Sequence, residues 1–103
     1  MAQIRNNKNS VHLTGNSQAT LALTNTGEDT AALAGGVYDL FCTSDFYMKV
    51  DANNASDVTT ATGYFVKGGE TLPGVIIPEQ YKLGAVLTSG TASLMYHKVG
   101  NIQ

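Results

Sequence analysis

Val37-Tyr38-Asp39-Leu40-Phe41-Cys42, then Thr43-Ser44-Asp45, then Phe46-Tyr47-Met48-Lys49-Val50-Asp51: this stretch decides the fold class. Successive side chains on a strand point to opposite faces. Tyr38, Leu40 and Cys42 therefore share one face, with Val37, Asp39 and Phe41 on the other. After the polar break, Phe46, Met48 and Val50 alternate in the same way with Tyr47, Lys49 and Asp51. Two alternating runs joined by a short polar link read as a β-hairpin.

The pattern continues on both sides. Residues 51–57 form an oxygen-rich loop, and the β-branched and aromatic residues 58–66 read as a further strand closed by the turn Lys67-Gly68-Gly69-Glu70. Val75-Ile76-Ile77 stands between Pro73-Gly74 and Pro78; proline has no ladder donor, so this run suits a sheet edge or a bend. Residues 81–88 and 91–99 flank Ser89-Gly90, a two-residue loop that predicts a second hairpin. Upstream, Ala19, Leu21 and Leu23 alternate with Gln18, Thr20 and Thr24, and Asn25-Thr26-Gly27-Glu28-Asp29 reads as a turn. Residues 30–34 allow one helical turn before Gly35-Gly36, and Val11 and Leu13 alternate with His12 and Thr14 until Gly15-Asn16. No segment keeps a 3.6-residue period for long. The expectation is an all-β fold, a small β-sandwich or jelly-roll-like barrel of about seven to eight short antiparallel strands. It occupies residues 11–103 as a single domain. Residues 1–10 read as a flexible N-terminal arm, because Gln3, Asn6, Asn7, Asn9, Arg5 and Lys8 leave only Met1 and Ile4 as large apolar side chains to offset ordering.

Composition narrows the function. With 103 residues the core is thin, which favours support from an oligomer or a host assembly. Charged residues are 14% of the chain, against roughly 25% in ordinary globular proteins, and Ser, Thr, Asn and Gly take their place. That excludes a coiled coil and a charged disordered tail. The net charge is −2, and Arg5, Lys8, Lys49, Lys67, Lys82 and Lys98 are scattered, so no basic stripe is laid out for nucleic acid. No apolar run is long enough to span a membrane, and the N-terminal charges are followed by no apolar stretch of the signal-peptide kind. A single cysteine, Cys42, fits synthesis in a reducing cytoplasm.

Candidate chemistry is sparse. Cys42 and His97 are the types a thiol–imidazole pair needs, yet Cys42 shares an apolar face with Tyr38 and Leu40, where cysteine is ordinarily an inert core residue. Asp51-Ala52-Asn53-Asn54-Ala55-Ser56-Asp57 offers oxygens at alternate positions as calcium loops do, but lacks their glycine (Ser56) and closing glutamate (Thr62). A solvated hairpin loop is the plainer reading. Asn54-Ala55-Ser56 matches a glycosylation sequon, a chance match in a chain without a secretion signal. Five tyrosines and three phenylalanines would suffice in number for a sugar platform, but tryptophan is absent, and Tyr38, Phe41, Phe46 and Tyr64 fall in strand alternations that suit core or subunit contacts. The reading is of a non-enzymatic protein with no cofactor and no metal.

From Gly36-Val37-Tyr38 through Leu40-Phe41-Cys42-Thr43-Ser44-Asp45 and Tyr47-x-Lys49-Val50, the chain resembles a loose class of small β-rich structural proteins of tailed bacteriophages. Gly68-Gly69-Glu70, Leu83-Gly84-Ala85-Val86 and Ser89-Gly90-Thr91-Ala92-Ser93-Leu94 extend the resemblance; Pro73 and Pro78 depart from it. The resemblance implies a virion component made in the bacterial host cytoplasm, a homotrimer that decorates or cements the capsid by bridging neighbouring subunits of the major capsid protein. A neck or tail connector or fibre-attachment protein is the alternative, and a carbohydrate or host-surface binding module a third. Ile4, Arg5 and Lys8 of the arm and Val75, Ile76 and Ile77 of the edge are the expected partner-binding residues, with neither nucleic acid nor membrane as partner.

Overall fold

The computed structural model describes residues 18–102. The arm at residues 1–10, the alternation at 11–14 and His12 lie outside the described residues. Eight strands follow one another: β1 (Gln18–Leu23), β2 (Glu28–Asp29), β3 (Gly36–Phe41), β4 (Phe46–Asp51), β5 (Tyr64–Val66), β6 (Leu72–Ile77), β7 (Lys82–Val86) and β8 (Ala92–Gly100). They form two four-stranded antiparallel sheets, β1-β8-β3-β6 and β2-β7-β4-β5. The pairing is nested: first strand with last, second with seventh, third with sixth, fourth with fifth. That is one long hairpin rolled on itself, the topology of a jelly roll.

Rolling explains two departures from the sequence reading. Every connection but the one between β4 and β5 crosses from one sheet to the other. The alternating runs at 37–42 and 46–51 therefore do not pair as a hairpin; β3 bonds to β6 and β8, and β4 to β5 and β7. Residues 42–45 form an arch that sets Tyr38 and Leu40 across the core from Phe46 and Met48. The expected hairpin at Ser89-Gly90 is likewise an arch, with Gly90 at φ 78°. Alternation reports which face is apolar, and both arrangements bury the same face. The core is closed by Leu23, Tyr38, Leu40, Cys42, Ile77 and Leu94 from one sheet and Phe46, Met48, Val66, Leu83, Ala85 and Leu87 from the other.

Three further expectations are corrected. Residues 30–34 make no helical turn, because their backbone is already paired: Thr30 N–H donates to Leu83 O (2.9 Å), Leu33 N–H to Tyr81 O (2.9 Å), and Gln80 N–H to Leu33 O (2.9 Å). The buried Thr30 hydroxyl also accepts Leu83 N–H at 3.1 Å. Glu28 and Asp29, read as turn, form β2 against Gly84 and Ala85. The strand read over 58–66 shrinks to Tyr64–Val66. Hydroxyls override β-propensity there: Thr59 Oγ1 accepts the N–H groups of Ala61 and Thr62, and Thr62 Oγ1 accepts that of Thr59. No helix among the described residues is long and apolar enough to cross a membrane.

Candidate docking surface

The sequence's chemical candidates are separated or already occupied. Cys42 is fully buried beside Tyr38 and Leu40. His97 is on β8, opposite Asp39 of β3; Leu94 and Tyr96 of β8 face the core, so the His97 side chain lies on the opposite side of the sheet from Cys42. The two do not meet. In the oxygen-rich loop, Asp51 Oδ1 accepts the N–H of Asn53 at 2.9 Å and of Asn54 at 3.4 Å. Those bonds, with Lys49 nearby, hold the Asp51 carboxyl below its ordinary value of 3.8. Lys49 Nζ lies 2.7 Å from Asp57 Oδ1 and 3.5 Å from Asp51 Oδ2, and the Asp57 bond raises its pKa. The oxygens proposed for calcium thus serve backbone amides and an ammonium group. Among the described residues no three His, Cys, Asp or Glu side chains gather as a metal would require.

The same loop is not simply solvated. Residues 52–63 connect β4 to β5 and fold back as a strap over the outer face of the second sheet, burying Ala55 and Val58 completely. Ala55 lies on Gly84, and Asp29 Oδ2 accepts Ala55 N–H at 3.2 Å. Gly84 is buried beneath it, and Val86 in the same row is buried too. This sheet covers its outer face with its own chain.

The side where both sheets end is different. β5 is the edge of one sheet and β6 of the other, and residues 67–71 cross between them. That crossing is fixed to the β3–β4 arch by Gly69 N–H to Cys42 O (2.8 Å) and Gly68 N–H to Asp45 Oδ1 (2.7 Å). On β5, Val66 pairs with Phe46 and is buried. Tyr64 pairs with Met48 in the same core-facing row, yet is 68% exposed. Its ring stands largely in solvent at the sheet edge, with Leu72 of the facing sheet on the other side of the cleft. Phe65 faces outward, half exposed, its ring 5.4 Å from that of Tyr47 at 61°. An open cleft of about 210 Å³ lies between Tyr64, Val66, Lys67, Glu70 and Leu72.

The sequence-derived partner residues fall unevenly. Ile4, Arg5 and Lys8 lie outside the described residues. The 75–77 run is the second half of edge strand β6. Ile77 is fully buried in the core and Val75 packs against it, which leaves Ile76, 59% exposed, as the side chain this run presents. The strand's first half is blunted as edges commonly are: Pro73 lacks a donor, Gly74 turns the backbone at φ 75°, and the register against β3 shifts there. Phe65, Lys67 and Glu70 escaped the sequence reading as a surface, and Tyr64 reads there as a core or subunit contact. The signal was the adjacent pair Tyr64-Phe65, since neighbouring strand residues cannot both face one core. Compared with protein-family models, curated proteins and solved structures, the chain matches none.

Proposed function

We propose that this chain is a structural protein of a tailed-bacteriophage virion, which decorates or cements the capsid by bridging neighbouring capsid subunits. The observation that carries the reading is the nested eight-strand topology, an architecture used by viral capsid and lectin domains. Its interior is filled by side chains, so binding falls to the outside. On this reading the copies act as homotrimers on the major capsid protein. Contacts are many and shallow, with the arm (Ile4, Arg5, Lys8) and the Ile76 ridge taking part, and the bridges resist pressure from within the shell. The test is the copy number of the chain in purified particles by quantitative mass spectrometry. A number matching the shell lattice supports decoration. A single ring's worth moves the protein to the neck or tail, and absence from particles overturns the virion role. The exposed Tyr64 ring beside Lys67, Glu70 and Thr71 favours one other reading, a saccharide site, which a glycan array tests directly.

A further inference from the structure

We infer that the β5–β6 side is where copies of this chain meet one another, packed around a closed symmetry axis with Tyr64 and Phe65 at the centre and Lys67 of each copy against Glu70 of the next. This rests on the homotrimer reading above and names its surface. Three observations point to a second copy as the occupant. Tyr64 occupies a core-facing row but has no cover, so apolar area that the sandwich normally buries stays in water. Lys67 and Glu70 flank the same cleft with opposite charges, and neither forms an ion pair with any described residue. A surface holding one cation and one anion beside an aromatic pair is complementary to itself, and a closed ring satisfies every charge once. Finally, Pro73 and the turn at Gly74 blunt strand addition along the first half of β6, so the contact is made by side chains. On the outer face of the β2-β7-β4-β5 sheet, the 52–63 strap already covers Gly84, so that part offers no comparable surface.

The experiment is native mass spectrometry with sedimentation equilibrium on the full chain and four variants: Lys67→Glu, Glu70→Lys, the double swap, and Tyr64→Ser. The wild type is expected to form a closed trimer. Each single swap raises the dissociation constant by about tenfold or more, and the double swap returns it to within about threefold of wild type. Tyr64→Ser is monomeric and melts like wild type diluted until its trimer has dissociated, since in the single chain the ring is mostly in water. A wild type that stays monomeric, or a double swap that fails to restore association, overturns the interface. So does a monomer whose Tyr64 side retains a glycan on an array. Co-sedimentation with particles separates this from the virion role: a monomer that coats particles overturns the interface alone, and a trimer that leaves them bare overturns the role alone.

Discussion

Ala55 rests directly on Gly84: a Cβ on Gly84 would come within 2.7 Å of Ala55 Cβ and closer still to the Ala55 carbonyl. This contact seats the 52–63 strap on its sheet, and only a residue without a side chain permits it. Gly84→Ala must push backbone, not a flexible side-chain tip. Its expected cost is about 2–3 kcal/mol, a fall in Tm of roughly 10–20 °C. Gly69→Ala is the control. Gly69 has a φ of 84° with open space around it, so only backbone strain of about 1 kcal/mol is expected. Calorimetry in which the two variants melt alike would show that the strap is not packed on Gly84.

Sequence patterning located most strands because face alternation survives in each: Tyr38, Leu40 and Cys42 are all buried as read. Partnering was not legible. Cys42 to Asp45 joins two inward-facing strands whether they lie side by side or across the core, and only long-range pairing decides between them. The strap was hidden for a related reason. Ala55 and Val58 are isolated apolar residues in a polar stretch, with no period to mark them, and Ala55 is seated on a glycine 29 positions further on. Ile76 was legible as part of an edge run, but the burial of Ile77 beside it follows from the strand's phase. The adjacent pair Tyr64-Phe65 marks one ring as outward, but that Tyr64, in the core-facing row, is the more exposed of the two depends on where the sheets end.

Cys42 tests the core directly. The thiol is fully buried among Tyr38, Leu40 and Phe46, so native-state labelling by a thiol reagent should proceed only as fast as the protein opens. Cys42→Ala should cost on the order of 1 kcal/mol through lost apolar contact. Rapid labelling of the folded protein would contradict that burial.

Acid should loosen the polar clasps. The Asp51 and Glu79 carboxyls sit below their ordinary values of 3.8 and 4.5, Asp51 chiefly through the N–H of Asn53 and Glu79 through the N–H of Gly35 at 2.6 Å. The fold therefore favours their charged forms. Their contribution is complete above the ordinary values and is lost as pH falls through the lower folded ones. Urea midpoints should decline between about pH 5 and about pH 3, and Asp51→Asn should flatten that decline, since it keeps an acceptor but does not titrate. Identical pH slopes for the two proteins would remove Asp51 from the explanation.

Removal of residues 1–10 separates folding from attachment. All eight strands and the whole described core fall within residues 18–102, so the truncated chain should keep the melting temperature of the full one. On the proposed capsid role, the lost residues include Ile4 for an apolar pocket, amide side chains for backbone groups, and Arg5 and Lys8 for an acidic surface. Binding to particles should weaken by about 1–3 kcal/mol, roughly five- to a hundred-and-fifty-fold. The deficit should shrink as salt rises, because exposed charges are screened within about 10 Å at 0.1 M ionic strength. A truncated protein that unfolds would make the arm part of the sandwich. One that binds particles as tightly as the full chain would leave attachment to the strand-built surfaces, with Ile76 and its neighbours as the first residues to change.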